Sequence, residues 1–254
     1  MIKVSIIGSG NVGQHLIKAF SESRSAELVQ VYSRNPGSIA NLISHEKIVD
    51  DYHALNDADL YIIAVSDDAV ATVSQKLPFE GKLVAHTAGS LSLNVLDAKN
   101  RKACFYPLQT FTKNNPLDFS VVPLCIESEG ETDFAVLNNA AKAISKVVHR
   151  IDTDQRQALH LAAVFVSNFS NHMYSIGEKL CSDNAMPFDI LKPLIEETAR
   201  KATVLSPAIA QTGPAVRHDQ STIDKHLSAL KDQNLRNIYE MITKSISEWQ
   251  PIKN

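Results

Sequence analysis

Hydrophobic and polar positions divide the chain into two parts with different periodicities. Across residues 1–151, short runs rich in β-branched residues alternate with stretches of helical periodicity. The runs predict strands at Lys3–Ile7, Leu28–Ser33, Leu60–Val65, Lys82–His86, Ala103–Tyr106, Val121–Ile126 and Lys146–Arg150. The stretches between them predict helices at Val12–Ser21, Ser38–Ile43, Ala69–Gln75 and Glu131–Ile144. This alternation is typical of a parallel sheet with helices on both faces.

The pattern changes after Asp152, because no convincing strand follows and helical periodicity dominates. A long helix is predicted over Thr153–Ser182, with Thr153 or Asp154 as its N-cap. Further helices are predicted at Phe188–Ala202, Ile223–Lys231 and Gln233–Trp249. We therefore expect an α/β chain with an N-terminal Rossmann doubly wound sheet at 1–151 and an all-α C-terminal domain at 152–254.

The first predicted strand runs directly into a glycine-rich turn and then a helix. The turn reads Gly8-Ser9-Gly10-Asn11-Val12-Gly13, a GxGxxG pattern. In dinucleotide-binding folds the first glycine permits the tight turn, the second lets a pyrophosphate approach the backbone, and the third lets the helix pack closely. The helix N-terminus adds free N–H groups and a partial positive charge. These six residues therefore predict a dinucleotide site, the alternative being a tight turn without a ligand.

The end of the second predicted strand bears on which nucleotide binds. NAD-binding Rossmann domains usually place an acidic residue there to bind the ribose 2′-OH. This chain has Ser33, Arg34 and Asn35 instead, and an arginine fork suits a 2′-phosphate. We expect NADP(H) as the cofactor, the alternative being that Arg34 is a solvated loop residue.

Two further loops should lie at the same edge, because ligands of open α/β sheets bind beyond the carboxyl ends of the strands. Val65 and Ser66 follow one strand, and Thr87 and Ser90 follow the next. We expect Val65, Ser66 and Thr87 to flank the nicotinamide half of the cofactor. Asp67 could instead cap a helix.

Polar residues on the long predicted helix indicate a substrate site. His160, Asn168 and His172 are spaced by 8 and then 4 residues, which places them on one face of an uninterrupted α-helix. Buried polar side chains need partners, so this face predicts a catalytic cleft or, alternatively, interdomain hydrogen bonds. The spacing does not favour a metal site.

A second polar cluster surrounds Gly213-Pro214. Arg217 is suited to bind a carboxylate or phosphate on a substrate, and Thr212 and Asp219 are its companions in the predicted substrate site. The alternatives are an ion pair between Arg217 and Asp219, or a role for Asp219 or Ser221 as the cap of the helix that follows.

Composition narrows the class of partner. The net charge of −3 and the lack of a basic block argue against nucleic acid, and no apolar stretch approaches the ~20 residues that span a membrane. The N-terminal apolar run is too short for a signal peptide. The three cysteines fit neither a disulfide framework nor a metal knuckle, so we expect free thiols, no metal and a cytoplasmic location.

The combined motifs resemble a family. The N-terminal half is similar to the NADP-binding domains of pyrroline-5-carboxylate reductases and deazaflavin-dependent NADP oxidoreductases. The whole chain resembles bacterial Rossmann-like proteins with a C-terminal helical domain of unknown function, described as candidate NADP oxidoreductases. The resemblance is carried by His86–Gly89, Tyr106–Phe111, His160–Asn168 and Thr212–His226. In that family the residue before Pro107 is often His, and the residue after Arg217 is often Gly.

The chain also resembles β-hydroxyacid dehydrogenases, more weakly, but differs from them at one catalytic position. Those enzymes carry a catalytic Lys followed one turn later by Asn. Asn168 matches the Asn, but Val164 occupies the Lys position. A histidine, His160 or His172, is then the expected proton donor.

These observations predict an NADP(H)-dependent oxidoreductase that acts on a small carbonyl or imine substrate. In this hypothesis Arg217 orients the substrate and Asn168 bonds its reacting heteroatom. The missing lysine motivates the alternative, a non-catalytic NADP(H)-binding sensor or interaction protein. We also expect a homodimer formed through the helical domain, with the apolar stripe of the last helix either on that surface or in the core of the chain.

Overall fold

The computed structural model describes residues 1–113 and 115–249. Within them the strands form one sheet in the order β3-β2-β1-β4-β5-β6-β7-β8. The strands are β1 Ile2–Ile7, β2 Ala26–Tyr32, β3 Ile48–Val49, β4 Leu60–Ile63, β5 Leu83–His86, β6 Arg101–Pro107, β7 Leu124–Ser128 and β8 Val148–Arg150. The Rossmann-like sheet is thereby confirmed, with the short β3 as an added edge strand.

The helices are α1 Asn11–Glu22, α2 Asp67–Lys76, α3 Glu131–Lys142, α4 Thr153–Ala163, α5 Ser170–Asp183, α6 Lys192–Val204, α7 Pro207–Ala210, α8 Gln220–Ala229 and α9 Gln233–Glu248. The chain forms two compact units, Met1–Asn168 and Phe169–Asn254. This division falls later than the predicted boundary after residue 151, because α4 belongs to the first unit. Residues 250–254 of the predicted helical domain lie outside the described residues.

Side chains of the sheet alternate between two buried layers. In β4, Leu60 and Ile62 belong to one hydrophobic cluster, whereas Tyr61 and Ile63 belong to the other. All four are almost completely buried. A strand that is buried on both faces has a continuous apolar sequence, and this sequence is what predicted a sheet with helices on both faces.

One strand departs from the predicted parallel sheet, since β7 runs antiparallel to β6. A parallel connection needs a crossover of a dozen or more residues, usually a helix. Between β6 and β7 the described residues contain only a short 3₁₀ turn at Phe119–Val121. The chain therefore returns beside β6 in the opposite direction.

Two predicted helices are corrected. The segment Ser38–Ile43 is not a helix, and only a 3₁₀ turn at Pro36–Ser38 forms there. The long helix is interrupted by a π-helix at Val164–Phe169. A π-helix closes each turn with an i→i+5 bond, so it breaks the α-helical register that placed His160, Asn168 and His172 on one face.

Candidate active site

The glycine loop follows β1, which lies between β2 and β4. Gly8 has φ +123°, and a Cβ there would collide with the carbonyl oxygen of Ala64. A Cβ at Gly13 would lie 2.5 Å from the carbonyl oxygen of Gly8. Both glycines are therefore required by the close packing of strand, turn and helix.

Gly10 differs from the other two glycines, because a Cβ there would meet no atom within 4 Å. It is the N-cap residue of α1, and no side chain caps that helix end. The first N–H groups of an α-helix have no partner within the helix. Open space in front of free N–H groups, at the positive end of a helix dipole, fits the pyrophosphate of a dinucleotide.

Asn11 and Val12 contribute to this loop mainly through their backbone. The side-chain amide of Asn11 donates to the carbonyl oxygen of Phe111 at 3.0 Å, which ties α1 to the loop after β6. Val12 packs against the hydrophobic core. Their backbone N–H groups belong to the first turn of α1.

Hydroxyl groups gather where β2 ends. Ser9 Oγ and Ser33 Oγ are 2.7 Å apart, and Ser38 Oγ donates to Ser9 Oγ at 3.3 Å. The backbone N–H of Asn35 donates to Ser33 Oγ at 3.2 Å. Ser38 was missed by the sequence analysis, which placed it in a helix rather than in a turn beside the glycine loop.

Arg34 extends from the same turn and is exposed. Within the described residues it forms no hydrogen bond or ion pair. An unpaired guanidinium beside a hydroxyl cluster has the chemistry to bind a phosphate.

The loops after β4 and β5 are joined by hydrogen bonds. The Ser90 hydroxyl donates to Asp67 Oδ2 at 2.5 Å, and both N–H and Oγ1 of Thr87 lie within hydrogen-bonding distance of the Ile63 carbonyl. Ser66 is the N-cap residue of α2, whereas Asp67 lies in its first turn. The predicted cap at Asp67 is therefore wrong, and the Asp67 carboxylate instead links the two loops.

A tyrosine–histidine pair packs directly on the loop after β5. Tyr106 Oη, at the end of β6, lies 3.0 Å from Nδ1 of His160 on α4. A Cβ at Gly89 would lie 2.6 Å from His160 Nδ1 and 2.9 Å from Tyr106 Cζ. Only a glycine leaves room for this pair. Burial raises the pKa of Tyr106 to about 12, so its hydroxyl stays protonated.

Tyr106 was not predicted as a site residue. It entered the sequence analysis only as part of the motif Tyr106–Phe111, and its distance to His160 depends on how α4 packs on the sheet. A tyrosine at the carboxyl end of a strand that runs parallel to the glycine-loop strand in the same sheet is the signal that could have identified it.

Beneath this pair, a buried arginine anchors α4. Arg156 is fully buried, forms an ion pair with Glu127 and donates to the Leu91 carbonyl. The Gln157 side chain donates to the Ser90 carbonyl at 2.8 Å. Burial, and then the charge of Arg156, lower the pKa of nearby His86 to about 4. His86 is therefore a neutral core residue at neutral pH.

The other two predicted catalytic residues, Asn168 and His172, are exposed. Asn168 closes the first unit inside the π-helix, and His172 lies on α5 of the second unit. The Tyr106–His160 pair therefore forms without them.

The predicted substrate cluster lies in the second unit. Asp219 is the N-cap residue of α8 and accepts from Thr222, which holds the pKa of its carboxyl below the usual range. No ion pair joins Arg217 to Asp219 in the described part of the chain, so that alternative is wrong and the capping alternative is confirmed. Arg217 and Thr212 are exposed. His218 has φ +53°, a conformation that favours the glycine often found there in the family.

Residues 3–88 match the family described as NADP oxidoreductase, coenzyme F420-dependent. Residues 122–246 match a domain of unknown function, DUF2520. A candidate NADP oxidoreductase from Bacteroides fragilis is 39% identical over 98% of both chains, with a TM-score of 0.86. The chain belongs to the family that joins these two domains. The resemblance drawn from the sequence is thus confirmed.

More distant structures share the fold. An imine reductase variant from Myxococcus stipitatus, in complex with NAD⁺, is 16% identical with a TM-score of 0.67, covering 98% of this chain and 93% of the other. The 1-pyrroline-5-carboxylate reductase of Streptococcus pyogenes is 13% identical with a TM-score of 0.63, covering 98% and 99%. No match was found among curated proteins.

Two further features are absent from residues 1–113 and 115–249. Neither a cluster of three or more metal-ligating side chains nor a helix with the length and hydropathy of a membrane span occurs there.

Proposed function

We propose that this chain is an NADP(H)-dependent oxidoreductase that reduces a small carbonyl or imine substrate. One observation carries the proposal: an open glycine loop and a partly exposed histidine, His160, lie at the same edge of one sheet. The strands β1, β4, β5 and β6 run parallel, so their carboxyl ends share that edge. The family match over residues 3–88 supports the nicotinamide cofactor.

The dinucleotide, when bound, supplies a hydride. The chain's own residues bind and orient it: the first turn of α1 faces the pyrophosphate, and the loops after β4 and β5 flank the nicotinamide half through Val65, Ser66 and Thr87. His160, which is partly exposed beside Gly89, delivers a proton to the substrate heteroatom. The imine reductase and pyrroline-5-carboxylate reductase that share the fold support a C=N or C=O substrate.

The choice of NADP(H) over NAD(H) rests on Arg34 and its hydroxyl neighbours. In calorimetric titrations we expect the wild type to prefer NADPH. Arg34→Ala should lower the affinity for NADPH by roughly tenfold or more, because a hydrogen bond to a charged group contributes ~1.5–3 kcal/mol. NADH binding should change little. Equal affinities for both nucleotides in both proteins would contradict the assignment.

Activity is tested by NADPH oxidation against keto acids, aldehydes and cyclic imines. We expect turnover with at least one class, and its loss in His160→Gln while nucleotide affinity is retained. His172→Gln and Asn168→Ala test the other two predicted catalytic residues. Arg217→Ala should raise KM for acidic substrates. Thr212→Ala and Asp219→Asn test the other two predicted substrate-binding residues by the same change in KM. Tight NADPH binding without turnover on any class would instead favour the alternative, a sensor or interaction protein.

We also propose a homodimer formed through the second unit. In this unit several large apolar side chains are more than 60% exposed: Ile190, Leu194, Val204, Ile209, Met241 and Trp249. Apolar surface of this kind favours association. Light scattering should give twice the 27.9 kDa of one chain. The free cysteines Cys104, Cys125 and Cys181 suit the reducing cytoplasm, our proposed compartment.

A further inference from the structure

The Tyr106–His160 pair has one rigid and one accessible member. Tyr106 lies at the end of β6, between β5 and β7, and only 9% of it is exposed. His160 lies on α4 and is partly exposed. The rings meet edge to face, with centroids 5.9 Å apart and an interplanar angle of 76°. The fixed tyrosine can therefore hold the orientation of the imidazole.

The two nitrogens of His160 have different surroundings. Nδ1 lies 3.0 Å from Tyr106 Oη, whereas no residue in the described ranges bonds to Nε2. The Gly89 backbone packs against the Nδ1 side of the ring. Nε2 is thus the nitrogen left to exchange a proton with a substrate.

We propose that Tyr106 is the positioning residue of the proton donor: its hydroxyl oxygen accepts from Nδ1–H of His160 and presents Nε2 to the substrate. The catalytic consequence rests on the proposed reduction, whereas the hydrogen bond itself does not. A base or acid oriented by a third group is the arrangement that proton transfer commonly uses.

The proton balance assigns each hydrogen. The donating form of His160 is the imidazolium, with hydrogen on both nitrogens. When the bound dinucleotide gave its hydride to the substrate carbon and was oxidised, the Nε2–H bond would break and its proton would join the substrate heteroatom. The neutral ring keeps its hydrogen on Nδ1, still bonded to Tyr106 Oη. Tyr106 neither gains nor loses a proton.

The first test reads the tautomer and needs no substrate. Nitrogen-15 chemical shifts of the histidine rings, assigned by the signals that disappear in His160→Gln, report which nitrogen carries hydrogen at a pH where the ring is neutral. We expect hydrogen on Nδ1 in the wild type and a shift toward Nε2–H in Tyr106→Phe. Hydrogen on Nε2 in the wild type, or an unchanged tautomer in Tyr106→Phe, would overturn the proposal.

The second test reads catalysis. Tyr106→Phe keeps the ring and removes only the hydroxyl, so kcat should fall about tenfold because the imidazolium loses the hydrogen bond that orients it, with KM unchanged. Tyr106→His should recover part of the loss, whereas Gly89→Ala should lower kcat by displacing the imidazole. Equal kcat in wild type and Tyr106→Phe would overturn the positioning role.

Failure of the two proposals can be distinguished. If the wild type turns over no substrate, the proposed reduction fails while the tautomer still reports on the Tyr106–His160 bond. If the wild type is active and Tyr106→Phe matches it in tautomer and kcat, the positioning role alone fails. Equal melting temperatures of the two proteins show that any loss is not one of folding.

Discussion

At the scale of single residues, Gly8 and Gly10 lie two positions apart but differ in why each is glycine. Gly8 has a left-handed backbone and no room for a side chain, whereas Gly10 has an ordinary φ of −72° and open space around its Cα. The fold requires the first glycine. The second leaves space at the N-cap of α1 in which a phosphate can approach the backbone.

This difference predicts effects of different size on stability. Gly8→Ala should lower the free energy of unfolding by at least ~1–3 kcal/mol, because of the strained φ and the collision with Ala64. Gly10→Ala should change it by less than ~1 kcal/mol, because alanine restricts the unfolded chain but is a poorer N-cap residue than glycine. Urea unfolding of both variants measures this. A comparable loss in Gly10→Ala would show that Gly10 serves the fold instead.

His86 gives the stability a dependence on pH. Its pKa falls from 6.5 in the unfolded chain to about 4 in the folded protein. The unfolded state therefore binds more protons between these values. The contribution of His86 to the free energy of unfolding is complete above pH 6.5 and is lost as the pH falls toward 4. The loss is on the order of 3 kcal/mol.

The measurement compares urea unfolding at pH 7.5 and pH 4.5. His86→Gln should be less stable at pH 7.5 but lose less than the wild type on acidification. An identical pH dependence in the two proteins would show that other groups account for the acid sensitivity.

At the scale of elements, hydropathy periodicity predicted the strands well, because buried runs such as Leu60–Ile63 have few other interpretations. It could not predict the direction of β7, which depends on the connection before it. It also missed the π-helix, since one added residue per turn barely alters a mostly apolar pattern. The glycine loop was predictable because its chemistry is local, whereas the Tyr106–His160 pair joins residues 54 positions apart.

The anchoring of α4 on the sheet depends on the buried pair Arg156–Glu127. Arg156→Met should destabilise the protein by ~3–5 kcal/mol, because it leaves the Glu127 carboxylate without its cation. Arg156→Met combined with Glu127→Met should lose less than the sum of the two single variants. A double-mutant cycle by urea unfolding measures this coupling, and additive losses would mean that the pair contributes no coupling.

At the scale of the whole molecule, the chain combines a complete nucleotide-binding sheet with a helical domain whose function its family match does not specify. The first unit alone contains the glycine loop, the hydroxyl cluster and the Tyr106–His160 pair. Binding of the cofactor can therefore be examined separately from the identity of the substrate.

The central claim is that a nicotinamide dinucleotide rests its pyrophosphate on the Gly8–Gly13 loop. The most direct measurement is calorimetry of NADPH with the wild type and with Gly10→Val, at matched thermal stability. We predict saturable heat in the wild type and an affinity at least tenfold lower in the variant, because the valine side chain fills the space that the pyrophosphate needs. No heat in the wild type at millimolar NADPH or NADH, or equal affinity in the variant, would contradict the claim.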